Sequence, residues 1–234
     1  MLARVEEAGG LFVMVTGRPP RWMAPVAEQT GRRGLAVCAN GAIVYDLHTE
    51  RIVRDYRIDA EVALQLVESL RAEVPGIAFA AERGEDGFGR EASYVPRYDN
   101  GEPRVAPAEE LVAPGVVKLL ARVEGTGSDT LLAAVRDVVG DLAECTHSSD
   151  DGLVEISAAG ITKASGLASL AAEHGVDAQH VVAFGDMPND LPMLAWAGLG
   201  VAVANAHADV LAAADEVTAS NDDDGVAQVL ERFF

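Results

Sequence analysis

Three oxygen-bearing side chains, Asp186, Asn189 and Asp190, follow an apolar strand in the segment VVAFGDMPNDLPML. Mg²⁺ is a hard cation that binds one or two carboxylates together with waters and phosphate oxygens. Because Asp186 and Asp190 are four residues apart, both carboxylates would lie near one face of the first turn of a helix. Helix capping is the alternative, since Asp and Asn are good N-caps. Capping needs only one such residue, so we favour a magnesium site.

A second candidate site follows another apolar strand, in the segment VMVTGRPP. Ligands of open α/β sheets bind at the carboxyl ends of the strands. There the Thr16 hydroxyl and the amides after it could hold a phosphoryl oxygen, and Gly17 would let the backbone approach closely. Arg18 and two prolines then lead into a helix. Taken alone, this pattern is more typical of an ordinary strand-to-helix turn capped by Thr16.

Lysine is rare in this chain, since only Lys118 and Lys163 are lysines among the 18 basic residues. Lys163 begins a predicted helix, where a cation is unfavourable because of the helix dipole. A compact ammonium suits a single phosphoryl oxygen, so an anion bound at that terminus would explain Lys163. A solvated surface lysine is an equally good explanation when this segment is taken alone. Lys118 has no role that the sequence indicates.

Two regions of the chain alternate strands with helices, which predicts a parallel sheet covered by helices. We predict that residues 1–46 and 159–234 form this α/β core with a Rossmann-like sheet. Between them the pattern changes to a hairpin, an amphipathic helix over 60–73, a further helix over 128–139, and further strands. Residues 47–158 are therefore predicted to form an inserted α+β domain.

The chain carries 37 acidic and 18 basic residues, which gives a formal net charge of −19. Such a field repels nucleic acids and anionic membranes and argues against both as partners. A phosphorylated small molecule would need local compensation from a metal ion, backbone amides or a few basic side chains. Cys38 and Cys145 match no zinc or redox spacing, which favours reduced thiols in a cytoplasmic protein.

The order of these segments is more specific than any one of them. Thr16, then CANGAIVYD, then Lys163, then GDMPND resemble motifs two to four of the haloacid dehalogenase superfamily. CANGAIVYD and the tail SNDDDGVAQVL resemble its Cof-type branch, in which a cap domain is inserted between the second and third motifs. The resemblance implies a haloacid dehalogenase-like core with residues 47–158 as the substrate-selecting cap.

The resemblance also implies roles for the matching residues. Thr16 would bind the phosphoryl group, and Lys163 would neutralise it together with the nucleophile. Asp186 would coordinate Mg²⁺, while Asn189 and Asp190 support the metal and its waters, so that Asp190 serves both catalysis and metal binding. The remaining residues expected to line the site are Gly17, Arg18, Asn40 and Gly41.

Members of this superfamily begin with an apolar strand that ends in Asp-x-Asp. The first carboxylate attacks phosphorus, and the second is a general acid and base. This sequence opens instead at VEEAGG, which resembles the end of the helix that follows that strand. Asp150–Asp151 and Asp222–Asp224 do not end an apolar strand, so turns and caps explain them better. We expect the first core strand, which lies in the middle of the sheet, to be missing, and the chain alone to be inactive or weakly active.

The resemblance implies a Mg²⁺-dependent phosphomonoester hydrolase that forms an aspartyl-phosphate intermediate. Its substrate would be a small phosphorylated metabolite, such as a sugar or cofactor phosphate. Two alternatives stay open: a catalytically inactive metabolite-binding or regulatory relative, and a phosphomutase of the same superfamily. The sequence indicates neither the substrate's identity nor the oligomeric state.

Overall fold

The structure is a computed structural model that describes residues 1–31, 34–97 and 101–234. The chain divides into two compact units. Unit 1 comprises Met1–Arg51 and Thr162–Phe234, and unit 2 comprises Ile52–Ile161. The domain limits of 47 and 158 expected from the sequence lie a few residues from these unit limits and stay a prediction.

Helices and strands alternate along most of the chain. The helices are α1 (Leu2–Glu7), α2 (Ala24–Gln29), α3 (Ala60–Glu73), α4 (Ala108–Val112), α5 (Ser128–Val139), α6 (Lys163–Glu173), α7 (Leu191–Trp196), α8 (Ala208–Ala213) and α9 (Gly225–Leu230). The strands are β1 (Val13–Val15), β2 (Leu35–Cys38), β3 (Ile43–Asp46), β4 (Arg51–Asp55), β5 (Ala78–Glu82), β6 (Phe88–Arg90), β7 (Arg104–Val105), β8 (Lys118–Arg122), β9 (Ala143–Thr146), β10 (Leu153–Ala158), β11 (Val182–Gly185), β12 (Leu199–Val203) and β13 (Glu216–Thr218).

The strands of unit 1 belong to two separate sheets among the described residues. In the first, β1 pairs in parallel with β2, and β2 pairs antiparallel with β3. In the second, β11, β12 and β13 are parallel throughout. Parallel strands need helical crossovers, and the intervening helices supply them. The predicted α/β fold class with parallel strands is therefore confirmed.

An apolar cluster in unit 1 brings these two sheets together. Leu167 of α6, Met193 of α7 and Ala183 of β11 are all buried in it. Val13 and Val15 of β1 pack against the same cluster. Burying a Leu or Met side chain stabilises a fold by roughly 1.5–3 kcal/mol, so this cluster contributes substantially to holding β1 and β11 in one unit.

Unit 2 is built on a mixed sheet with the order β7-β6-β5-β8-β10-β9 within the described part of the chain. Only β6 and β7 pair in parallel, and the other pairs are antiparallel. Side chains alternate between the faces, and Phe79, Leu119 and Ile156 join α3 and α5 in one apolar core. The predicted helices over 60–73 and 128–139 are confirmed.

The apolar segment from Leu191 to Ala214 is divided among α7, β12, α8 and the turns between them. No helix in ranges 1–31, 34–97 and 101–234 combines the length and apolarity needed to cross a membrane.

Two glycines let the turn between β2 and β3 lie directly against the start of α6. Gly41 has φ of 107°, and a Cβ there would lie 2.0 Å from the carbonyl oxygen of Thr162. A Cβ on Gly166 of α6 would lie 2.7 Å from Val37 Cγ1 and 2.8 Å from Gly41 Cα. Since neither position has room for a side chain, glycine is what permits this close approach.

We predict that Gly41→Ala lowers the free energy of unfolding by about 2–6 kcal/mol, the combined range for a strained backbone and an overpacked contact. Gly175→Ala is the matched control, because Gly175 has φ of 68° but a Cβ there meets no described atom within 4 Å. It should cost only about 1–2 kcal/mol, the penalty for a left-handed residue. Urea unfolding of both variants measures the difference, and equal losses would show that the contact with Thr162 is unimportant.

Candidate functional site

The candidate residues of unit 1 lie at the ends of two parallel strands and at the starts of two helices. Thr16 directly follows β1, and Asp186 directly follows β11. Lys163 is the first residue of α6, and Asp190 immediately precedes α7. The ends of strands and helices carry polar backbone groups that have no partner within the element, so these groups can bind ligands.

The buried carboxylate of Asp190 is the most connected group of the site. Its Oδ1 lies 2.6 Å from Lys163 Nζ, and its Oδ2 accepts 3.0 Å hydrogen bonds from the backbone amides of Asp186 and Met187. The side chains of Lys163 and Asp190 are only 8% and 5% exposed. Burying two charges costs several kcal/mol, which the ion pair and these added hydrogen bonds must offset.

Two neighbouring features support this ion pair: one leaves space for it, and the other fixes the position of Lys163. Gly185 has no side chain, and a Cβ there would lie 2.6 Å from Asp190 Cβ. At the start of α6, Thr162 Oγ1 accepts from the Ser165 amide at 3.2 Å, and Ser165 Oγ accepts from the Thr162 amide at 2.9 Å. This capping box fixes where the helix begins, and thereby fixes the position of Lys163.

The turn after β1 is held by backbone hydrogen bonds to the β2–β3 turn. The Thr16 amide donates to the Val37 carbonyl at 2.8 Å, which extends the parallel pairing by one residue. The Thr16 hydroxyl accepts from the Arg18 amide at 3.1 Å and keeps its own hydrogen for donation to a ligand oxygen. The Arg18 carbonyl accepts from the Ala39 amide at 3.0 Å, so Arg18, an exposed residue, participates through its backbone.

Asn40 connects that turn to the loop after β11. Its amide donates to the Thr16 carbonyl at 3.1 Å. Its side-chain Oδ1 accepts a 3.0 Å hydrogen bond from Asn189 Nδ2. Asn40 and Asn189 are both buried, at 3% and 6% exposure. The two segments, 149 residues apart in the chain, are therefore joined by one side-chain hydrogen bond.

Asp186 differs from Asp190 because it is exposed to solvent. Partial desolvation and then the negative charge of Asp190 raise the pKa of Asp186 above its ordinary value, although the ammonium of Lys163 opposes this shift. The backbone carbonyl of Asp186 accepts from the His207 amide at 2.8 Å. Its carboxylate is thus held beside a second negative charge, at a position that a cation would favour.

Hydrogen bonds connect most of the residues that the sequence predicted for this site. The connected residues are Thr16, Arg18, Asn40, Lys163, Asp186, Asn189 and Asp190. Gly17 lies within the Thr16–Arg18 turn, and Gly41 packs on Thr162.

Sequence reasoning did not identify Met187, His207 or Ser165 as part of the site. Met187 and His207 act through backbone amides, which every residue except proline carries, so their side chains gave no signal. The T-x-x-S spacing of Thr162 and Ser165 resembles a capping box and could have been recognised.

The described residues suit some metal ions better than others. Among them, no group of three or more His, Cys, Asp or Glu side chains is arranged to hold a metal ion. Zinc sites need three or four protein ligands, whereas Mg²⁺ keeps several waters and takes one or two carboxylates. Because Lys163 and two amides already bind Asp190, Asp186 is the carboxylate best placed to bind a cation. The donor set fits Mg²⁺ and does not fit Zn²⁺.

Comparison with known proteins identifies a family for this chain. The profile of the haloacid dehalogenase-like hydrolases matches residues 1–230. Pyridoxal phosphate phosphatase YbhA of Escherichia coli is 28% identical, over 98% of this chain and 88% of the relative. The 5-amino-6-(5-phospho-D-ribitylamino)uracil phosphatase YitU of Bacillus subtilis is 27% identical, over 100% of this chain and 89% of the relative.

A solved structure shows the same fold. BT1666 of Bacteroides thetaiotaomicron, described among phosphatases of the haloalkanoate enzyme superfamily, is similar with a TM-score of 0.80 at 24% identity. The similarity covers 99% of this chain and 85% of BT1666.

We predict that Asp190→Asn lowers the free energy of unfolding by about 3–5 kcal/mol, because it leaves the Lys163 ammonium buried without its counter-charge. Asp177→Asn is the control, since Asp177 is an exposed carboxylate of the same unit, and its effect should stay within about 0.5 kcal/mol. Urea unfolding at neutral pH measures both. A loss at Asp190 no larger than that at Asp177 would contradict a structural role for the pair.

Asp186→Asn should have the opposite effect on stability. It removes a negative charge beside Asp190, so the free energy of unfolding in a buffer containing EDTA should rise relative to the unsubstituted chain. Thermal unfolding followed by circular dichroism tests this, again with Asp177→Asn for comparison. A lower melting temperature for Asp186→Asn would contradict the electrostatic argument.

Proposed function

Because the chain belongs to the haloacid dehalogenase-like hydrolase family, we propose that it is a Cof-type phosphatase that hydrolyses phosphomonoesters of small metabolites. The observation that carries this proposal is the buried Lys163–Asp190 pair with Asp186 beside it. The names of YbhA and YitU describe phosphatases of a cofactor phosphate and of a phosphorylated ribityl compound. Phosphates of this size, including sugar phosphates, are the proposed substrate class.

We propose that Asp186 contributes the carboxylate that binds Mg²⁺. When bound, the ion supplies positive charge that polarises a phosphoryl oxygen and offsets the charge on the phosphate. Asp190 was predicted as a second metal ligand, and we now assign it mainly a positioning role. It holds the Lys163 ammonium and the amides of Asp186 and Met187, so the loop around the metal ligand is fixed before a ligand arrives.

The phosphoryl group would be held by Thr16 and Lys163. Thr16 can donate its hydroxyl hydrogen, and Lys163 supplies a compact positive charge. This local compensation matters because the whole chain has a formal net charge of −19, which repels an anionic substrate at long range. Gly17, Arg18 and Gly41 would line the same region through their backbone groups.

The nucleophile would come from outside the printed sequence, in which no Asp-x-Asp follows an apolar strand. In the proposed reaction, an aspartate oxygen attacks phosphorus, the ester oxygen leaves as an alcohol with a proton from a general acid, and water then releases phosphate. Among the described residues, β1 and β11 each have one paired neighbour. A parallel strand beside them would end near Thr16 and Asp186. We therefore propose that residues 1–234 alone hydrolyse phosphomonoesters slowly or not at all.

Substrate selection is proposed to belong to the inserted cap, which corresponds to unit 2. The proposed cytoplasmic location agrees with Cys38 and Cys145, which are both buried and form no disulfide. Burial raises the pKa of Cys145 to about 12, so that this thiol is protonated and unreactive at neutral pH.

We predict that the chain extended by its upstream coding sequence, if that sequence encodes an Asp-x-Asp strand, releases phosphate from pyridoxal phosphate or from sugar phosphates in a Mg²⁺-dependent manner. Asp186→Asn should lower kcat/KM by at least about 10²-fold, because removing a group that stabilises developing charge costs about this much. Phosphate release is measured with and without EDTA.

Asp177→Asn in the same extended chain is the control and should retain full activity. Activity that is indifferent to EDTA and to Asp186→Asn would refute the proposed function. An isomerised phosphate ester in place of free phosphate would identify a phosphomutase. Substrate binding without turnover by the extended chain would favour the regulatory alternative.

A further inference from the structure

Asn40 contacts two of the segments that contribute to the site of unit 1, and its neighbour Gly41 contacts a third. Its backbone amide donates to the Thr16 carbonyl, and its side-chain Oδ1 accepts from Asn189 Nδ2. The next residue, Gly41, lies against the carbonyl oxygen of Thr162, the residue before Lys163. A single residue in the β2–β3 turn therefore touches the proposed phosphate turn and the proposed metal loop, and its neighbour touches the start of α6.

The backbone of Asn40 has an unusual conformation. Its φ and ψ are 59° and 32°, in the left-handed region, which asparagine tolerates better than most residues. Ala39 before it also has a positive φ, of 53°. Two successive non-glycine residues in this region cost conformational free energy, and such strain clusters at functional sites.

The hydrogen-bonded side chains of Asn40 and Asn189 leave two of their polar atoms without partners. Within the described part of the chain, Asn40 Nδ2 and Asn189 Oδ1 are buried and have no hydrogen-bond partner. Exchanging the assigned oxygen and nitrogen of both amides would still leave one donor and one acceptor. Each unsatisfied buried group destabilises the fold, because its hydrogen bonds to water are lost and not replaced. Since two unsatisfied buried atoms are destabilising, stability alone does not explain this pair. A role in ligand binding does.

We infer that Asn40 is a positioning residue that couples phosphate binding at the Thr16 turn to Mg²⁺ binding at the Asp186 loop. This inference rests on the proposed function. If phosphate orders the turn, the Asn40–Asn189 hydrogen bond transmits that order to the loop, and the reverse holds for Mg²⁺. By linkage, each ion then raises the affinity for the other by the same factor.

The test is calorimetric titration of the 234-residue chain with inorganic phosphate, without Mg²⁺ and with saturating Mg²⁺. The ratio of the two dissociation constants is the coupling factor, and we expect at least about fivefold for the unsubstituted chain. Asn40→Gly should reduce that factor at least about threefold, since the hydrogen bond that joins the two segments is lost. Glycine adopts the left-handed conformation without strain, so this variant removes the side-chain amide without straining the turn.

Asn189→Ala removes the other partner and leaves the β2–β3 turn unchanged, so it provides the same test if Asn40→Gly fails to fold. The double variant should show no further reduction in the coupling factor, because one hydrogen bond can be lost only once. Val229→Ala is the control for stability alone. Val229 is buried in α9, at 2% exposure, so its truncation should lower the melting temperature and leave the coupling factor unchanged.

The outcomes separate the two proposals. If the 234-residue chain binds neither Mg²⁺ nor phosphate, the proposed binding roles of Asp186, Thr16 and Lys163 are contradicted, and with them the inference. If both ions bind but the coupling factor is unchanged in Asn40→Gly and Asn189→Ala, only the inference is overturned. The same conclusion follows if the effects of the two substitutions multiply in the double variant, or if Val229→Ala reduces coupling equally.

Discussion

The buried carboxylate of Asp190 is the interaction on which the candidate site depends. A charge removed from water must be paired and hydrogen-bonded, and Asp190 meets this requirement with one ammonium and two backbone amides. Those three partners come from the start of α6 and from the turn after β11. The same requirement explains why a lysine stands at the first position of a helix, where the dipole disfavours a cation. Asp190 supplies the negative charge that stabilises Lys163 there.

This arrangement gives two neighbouring aspartates different roles. Asp190 is buried and fully engaged, whereas Asp186 is exposed and lies next to it. Partial desolvation and then the negative charge of Asp190 raise the pKa of Asp186, so both disfavour its ionised form. A cation would compensate for both effects. Asp190 therefore contributes to the stability of the loop through Lys163 and two amides, and to the proposed affinity of Asp186 for Mg²⁺ through its negative charge.

Both lysines of the chain are buried in ion pairs. Lys118 in unit 2 lies 2.6 Å from Glu155, with side-chain exposures of 2% and 5%, and Ser148 donates to the other oxygen of Glu155. The arginine pairs include more exposed ones, such as Arg104 with Glu110. A compact ammonium can be enclosed by a carboxylate more easily than a planar guanidinium that must satisfy five donors. Both lysines of the sequence therefore occupy positions that suit a compact, enclosed ammonium.

The sequence by itself determined the order of elements and the chemical types at the site. Hydrophobic periodicity predicted α3 and α5 correctly, because residues three and four apart face the same side of a helix. It also showed that Thr16 and Asp186 each end an apolar strand and that Lys163 begins a helix. These features depend on residues that are close in the chain, so their pattern is visible without a fold.

Only the tertiary structure determined which of these residues contact one another. The Asn40–Asn189 hydrogen bond joins residues 149 apart, and the Lys163–Asp190 pair joins residues 27 apart. The burial of Lys118 and the backbone contacts of His207 and Met187 were equally absent from the local pattern. Such contacts arise when strands and helices pack, and packing brings together groups whose separation along the chain carries no signal. The sequence therefore indicated which groups could bind phosphate and Mg²⁺, and the fold determined which carboxylate is exposed and which one is engaged.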